Sequence, residues 1–274
     1  MTKIKVLVID DSALIRRVLT EIINSEPDMT VIDTASDPLE AREKIKRLNP
    51  DVLTLDVEMP KMDGITFLKN LMRLRPMPVI MVSTLTEAGA EITLEALSIG
   101  AVDCVAKPSA NASRLDEVQH ELVQKIRAAA GVSVASIERA SARPAVKKNL
   151  QKQENYRPKS NYLIAIGAST GGTVAIKDVL IDLPENSPPI VVAQHIPPNF
   201  SASYAARMNT ICAVKVHEAQ DGQPIEAGNV YIAPGGYHLR VKRRGNEFVC
   251  DVSDTAKVNM HRPSVDVLFE SVAG

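Results

Sequence analysis

Seven side chains have the types and spacing that chemistry needs: Asp10, Asp11, Asp56, Ser83 and Lys107 early in the chain, and Ser169 and His195 later. The first five follow or close apolar runs. Asp10 and Asp11 end Ile4–Ile9, Asp56 ends DVLTLD, Ser83 ends PVIMVS, and Lys107 follows 101–106. Carboxylates brought together repel one another unless a cation neutralises them. A hard ion such as Mg²⁺ takes a few carboxylates, waters and a phosphoryl oxygen. Lys107 supplies a point charge suited to phosphate, and a Ser83 hydroxyl could donate to a phosphoryl oxygen. The set suits a carboxylate that accepts a phosphoryl group.

Ser169 stands in Gly167-Ala168-Ser169-Thr170-Gly171-Gly172, between a strand-like and a helix-like segment. The glycine–hydroxyl–glycine pattern is that of a nucleophile elbow. It would aim backbone N–H groups and a helix N-terminus at a developing oxyanion. The lysine of a phosphate-binding P-loop is absent and the spacing is not that of a dinucleotide fingerprint; a plain strand–helix turn stays open. His195 ends the next strand-like run, on the same side of the sheet, where an imidazole could serve Ser169 as general base. His120, His217, His238 and His261 fall on a helix, in β-rich sequence or near a helix start, and read as surface or structural.

These residues need a scaffold that gathers strand ends. Over the first ~127 residues, short apolar runs alternate with segments of helical period, such as Leu14, Ile15, Val18, Leu19, Ile22 and Ile23. Asp37-Pro38 reads as an N-cap and first helical residue. Five strands alternating with five helices imply a parallel sheet covered on both faces, with ligands beyond the carboxyl ends of the strands. Residues 128–160 lose this periodicity and carry seven Lys and Arg against Glu138 and Glu154, the pattern of a linker whose start extends the last helix, with a basic nucleic-acid arm as the alternative. A second α/β pattern follows over 161–274. It has strands at 162–166 and 189–193, helices after Gly172 and at 200–210, a β-rich stretch over 214–253, and a last helix from Arg262-Pro263.

Composition removes several function classes. The 274 residues carry a net charge of -1, which argues against a basic nucleic-acid coat. Aromatics are 3% with no Trp, so base-stacking platforms are not expected. Apolar runs such as Val79–Val82 are far short of the roughly 20 residues a membrane span needs. Cys104, Cys212 and Cys250 form no CxxC pair and fit a reducing, cytoplasmic setting.

Residues 3–127 resemble the receiver domain of two-component response regulators. The resemblance rests on Asp10-Asp11, on Asp56 followed by Met59-Pro60-x-Met62-Asp63-Gly64, on Ser83 and on Lys107-Pro108. It implies a flavodoxin-like, doubly wound (βα)5 fold with Asp56 as phosphoacceptor. Mg²⁺ would be held by Asp10, Asp11, Asp56 and the Glu58 backbone, and Ser83 and Lys107 would support the phosphoryl group. It also implies a cis Lys107–Pro108 bond. Cys104 stands where such domains usually carry an aromatic switch residue, which leaves a shift of Ser83 as the switching element.

The whole chain, with GASTGG, QHIPPNF, APGGYHL and HRPSVDVLF, is similar to the CheB family of chemotaxis protein-glutamate methylesterases. That implies an α/β methylesterase domain with a mostly parallel sheet over 161–274. It implies hydrolysis of glutamate γ-methyl esters on cytoplasmic chemoreceptor helices, and deamidation of receptor glutamines. Ser169 would be nucleophile and His195 base, with no cofactor in the esterase site. A chemotaxis histidine kinase would be the phosphodonor, and no nucleic acid or membrane insertion is implied. The family's third catalytic residue is an Asp in a Gly-Met-Gly-x-Asp-Gly segment that follows the HRPSVDVLF helix. The 274 residues hold no such segment and end inside that helix, so the domain reads as incomplete, with an exposed sheet edge. Asp266, on the helix itself, would be a poor substitute. In a serine protease, losing this acid costs about 10⁴-fold in turnover, so weak hydrolysis is expected of this chain. The residues leave open a response regulator with a non-catalytic protein-binding output. A DNA-binding output lacks its recognition-helix pattern.

Overall fold

The computed structural model describes residues 3–59, 62–83, 86–108, 112–133, 135, 137 and 162–273. The chain divides into two units, Met1–Pro144 and Ala145–Gly274. Most of the expected linker, residues 138–160, lies outside the described residues, as does Pro60 of the aspartate motif.

The first unit runs β1 (Ile4–Ile9), α1 (Ala13–Asn24), β2 (Met29–Ala35), α2 (Pro38–Leu48), β3 (Val52–Asp56), α3 (Gly64–Leu74), β4 (Val79–Ser83), α4 (Glu87–Ile99), β5 (Asp103–Ala106) and α5 (Ala112–Ala130). The strands form a sheet in the order β2-β1-β3-β4-β5, all parallel. Alternate residues of a strand face opposite sides, and both sides are apolar here, as a parallel sheet covered by helices demands. Val6 and Val8 face α1 and α5, packing with Leu19, Ile23, Leu122 and Ile126. Leu7, Ile9, Leu53 and Leu55, all buried, supply the other face, where α2 packs on β1 and β2, and α4 on β4 and β5. Each of the largest buried side chains contributes about 1.5–3 kcal/mol by leaving water.

Helix starts follow their caps. Asp37 accepts N–H bonds from Leu39 and Glu40 ahead of α2, Ser12 caps α1 and Asp63 caps α3. α4 opens at Glu87, four residues before the sequence pattern starts, because Thr86 accepts the N–H of Gly89. α5 continues to Ala130, into the stretch read as linker.

The second unit runs β6 (Ile164–Ala168), α6 (Gly172–Ile181), β7 (Ile190–Gln194), α7 (Phe200–Ile211), β8 (Lys215–Glu218), β9 (Asn229–Ile232), β10 (His238–Arg244), β11 (Glu247–Ser253) and α8 (Val265–Ala273). A parallel sheet β6-β7-β9-β8 carries β6 at one edge, and β10 and β11 pair separately as an antiparallel hairpin. Val191, Ala193, Tyr231 and Ala233 pack with Leu239 and Cys250 of the hairpin and Leu268 of α8. Gly167 lets α8 lie close on β6: a Cβ there would come within 2.3 Å of Val265 Cγ1. The cis bond among the described residues is Arg262–Pro263, not the expected Lys107–Pro108.

Gly64 sets the corner between β3 and α3. Its N–H donates to Val57 O at 2.9 Å, and a Cβ would sit 2.1 Å from the Asp56 carbonyl oxygen. Gly64→Ala should destabilise the first unit by about 1–3 kcal/mol, the usual overpacking cost. Thermal unfolding followed by circular dichroism checks this, and an unchanged midpoint would show that the corner yields freely.

Candidate functional site

Parallel pairing gathers the first group of residues at one edge of the first sheet. Asp56 pairs with Val82 and Ser83 with Ala106, so Asp56, Ser83 and Lys107 lie at adjacent strand ends, with Asp10 and Asp11 just beyond β1. Carboxylate oxygens of Asp10, Asp11 and Asp56 all lie within 4.8 Å of one another. Lys107 Nζ is 2.7 Å from Asp56 Oδ2 and 3.4 Å from Asp10 Oδ2. Asp10 Oδ1 accepts the Ser12 N–H, whereas Asp10 Oδ2 is buried and accepts no hydrogen bond from the described residues despite its nearness to the ammonium. Glu58 places its N–H on Asp56 Oδ1 at 3.2 Å. Arg16 donates to the Asp10 and Asp11 carbonyls and ties α1 to this loop.

One half-buried ammonium cannot offset the buried pair Asp10 and Asp56 with exposed Asp11 beside them. Burial pushes the Asp56 carboxyl up to about 6; the Lys107 hydrogen bond holds it down, and the Asp10 charge raises it again. Burial likewise raises Asp10, against the Ser12 N–H and Lys107. Burial opposes the charge on Lys107, but Asp56 and Asp10 outweigh it and its pKa is raised. An all-carboxylate donor set with an orphaned buried oxygen fits a hard divalent cation.

Cys104 is buried in β5, and burial pushes its thiol up to about 12, which makes it an inert core group. Its carbonyl accepts from Lys125 Nζ at 2.6 Å, and the same ammonium bonds Asp103 and Glu121.

The second group meets at the ends of β6 and β7. Ala168 pairs with Gln194, so Ser169 and His195, one residue further on, lie side by side. Ser169 Oγ and His195 Nδ1 are 3.0 Å apart. Ser169 is exposed at a sharp turn in which Gly172 N–H donates to Ser169 O at 2.7 Å and Gly171 takes φ +75°, a value that favours glycine. α6 begins immediately after this turn.

His261, read from the sequence as surface or structural, lies against the site. Its ring stacks on His195, with centroids 3.7 Å apart and planes 12° from parallel. The plate holds the His195 imidazole in one plane. The sequence carries no local sign of this, because the two histidines lie far apart in the chain. His120 is exposed and His217 bonds Asn229. His238 is buried, accepting from Ser264 N–H through Nδ1 and bonding Ala256 O through Nε2. Asp266 bonds Asn259, as a helix-surface residue would.

The family model described as CheB methylesterase matches residues 164–274, and that described as response regulator receiver domain matches residues 6–119. A protein-glutamate methylesterase/protein-glutamine glutaminase of Nitrosomonas europaea is 53% identical over 275 residues, covering 100% of this chain and 77% of that protein. One of Saccharophagus degradans is 55% identical over 273 residues, covering 99% of this chain and 78% of that protein. The solved response regulator domain of Thermotoga maritima CheB is 52% identical with a TM-score of 0.44, covering 48% of this chain and 98% of that one.

A carboxyl whose folded-state pKa is raised from 3.8 to about 6 binds its proton more tightly when folded. Folding stability therefore falls as pH rises from about 4 to 6, and the cost persists above 6. With metal chelated, Asp56→Asn should stabilise the first unit at pH 7.5 by about 1–3 kcal/mol, and the gain should shrink toward pH 4. Thermal unfolding at both pH values checks this; a variant less stable than the parent at pH 7.5 would contradict it.

Proposed function

This chain belongs to the CheB methylesterase family, and on that premise we propose that it is a cytoplasmic, phosphorylation-regulated protein-glutamate methylesterase and protein-glutamine glutaminase of chemotaxis. The observation that carries the reading is the 3.0 Å contact between Ser169 Oγ and His195 Nδ1 at neighbouring parallel strand ends. His195 takes the serine proton as Oγ attacks the γ-carbonyl carbon of a glutamate methyl ester on a chemoreceptor helix. The N-terminus of α6, just beyond Ser169, offers positive charge to the oxyanion. The C–OCH₃ bond breaks, and methoxide leaves as methanol with the proton from the imidazolium. Water then attacks the acyl-serine, His195 accepts its proton and returns it to Ser169 Oγ, and glutamate remains. With a glutamine side chain the leaving group is ammonia, and the second half is the same.

Regulation is assigned to Asp56, with a chemotaxis histidine kinase as phosphodonor. Asp10, Asp11 and Asp56, with the Glu58 backbone, would hold Mg²⁺, which when bound neutralises charge on the transferred phosphoryl group. The Asp56 carboxylate accepts the phosphoryl group, Lys107 offers its ammonium to the added oxygens, and Ser83 its hydroxyl. No helix among the described residues is long and apolar enough to cross a membrane.

Methanol release from methylated chemoreceptor membranes tests the reading. The chain should release methanol faster after addition of Mg²⁺ and acetyl phosphate, and Asp56→Asn should show no such increase. Ser169→Ala should lower what hydrolysis the chain has by about 10²-fold, the step left between an acid-less and a serine-less triad. Equal rates with and without the phosphodonor would refute the regulation, and hydrolysis surviving Ser169→Ala would refute the nucleophile.

A further inference from the structure

The Ser169–His195 contact joins two residues on neighbouring strands, and their backbones must keep a fixed separation for it to persist. One side chain touches both. Gln194, the last residue of β7, is 1% exposed. Its Nε2 donates to Ser169 O at 3.0 Å and to His195 O at 3.1 Å. Both partners are carbonyl oxygens, so only the NH₂ end of the amide can face them. The orientation is thereby chosen by chemistry.

The other end of the amide explains the third glycine of the motif. A Cβ at Gly172 would lie 2.0 Å from Gln194 Oε1 and 2.6 Å from Ala168 Cβ. Gly172 is thus absent a side chain where the amide of Gln194 lies. Oε1 is buried and accepts no hydrogen bond from the described residues. What this amide contributes is its pair of N–H bonds, and an apolar residue of the same length would fill the space without them. Ser169 O also accepts the Gly172 N–H, so turn, helix start and amide converge on one oxygen.

We propose that Gln194 is a positioning residue that clamps the backbones of Ser169 and His195, with Gly172 as the space that admits it. The inference rests on reading Ser169 and His195 as nucleophile and base. Gln194 touches no reacting atom and acts by fixing where Oγ and the imidazole stand. Misplacement of reacting groups by about 1 Å can cost on the order of 10²-fold in rate.

The test is phosphonylation of the 274-residue chain by an alkyl fluorophosphonate, in which a bond from Ser169 Oγ to phosphorus replaces P–F. The maximal rate constant and the half-saturating probe concentration are measured separately, alongside the unfolding midpoint. Gln194→Met should lower the maximal rate constant about 10- to 100-fold, leaving the half-saturating concentration and the midpoint near those of the parent. Gly172→Ala should give the same loss by expelling the amide. Gly172→Ala/Gln194→Ala should be no slower than Gln194→Ala alone, since the two changes break one arrangement. A Gln194→Met chain that reacts at the parental rate overturns the proposal. So does a loss confined to the half-saturating concentration, a loss that tracks the midpoint, failure of both single variants to fold, or additive losses in the double variant. Peptide mass spectrometry of the parent separates the two readings. Without an adduct on Ser169 the nucleophile assignment fails; with an adduct and an unaffected Gln194→Met, only the clamp fails.

Discussion

Parallel strand pairing is the constraint on which the rest of this protein depends. In an all-parallel sheet every carboxyl end lies on the same edge, and register decides which side chains just beyond those ends are neighbours. The register of Asp56 with Val82 and of Ser83 with Ala106 brings three carboxylates and an ammonium together. The register of Ala168 with Gln194 brings a serine beside a histidine. Helices hold the register by covering both faces, and β6 depends on α8 seated against Gly167.

The two sites use electrostatics in opposite ways. The aspartate cluster is under-compensated, with Asp10 and Asp56 buried and Asp11 exposed, and burial pushes the Asp56 carboxyl up to about 6. That excess of buried negative potential makes the cluster a receptor for cations and for groups that arrive with them. The serine site holds few formal charges. Its order comes from neutral hydrogen bonds around the Ser169 turn and from an aromatic plate, which fix geometry ahead of reaction.

Much of this was legible in the sequence because strand ends are marked by chemistry. Asp10, Asp56 and Ser83 interrupt or close apolar runs, and Asp37-Pro38 starts a helix where its cap predicts. β2 carries no such mark, since Met29–Ala35 has Thr30, Asp33 and Thr34 among its apolar residues. The start of α4 was missed because the cap at Thr86 precedes the periodic residues. His261 and Gln194 were beyond reach for a different reason. Stacking of His261 on His195 joins residues far apart in the chain, and the double hydrogen bond of Gln194 depends on a turn 25 residues earlier in the chain. The GG pair was visible as a pattern, and only the packed structure shows which side chain Gly172 accommodates.

The central claim is that Ser169 carries the acyl group between two half-reactions. It is tested most directly by mixing the chain with a methyl-esterified chemoreceptor fragment, quenching in acid within the first turnover and mapping adducts by peptide mass spectrometry. A receptor glutamyl ester on the peptide containing Ser169, absent when His195 is replaced by alanine, is the result this structure predicts. Methanol release with no adduct at Ser169, or with the acyl group on another residue, would contradict it.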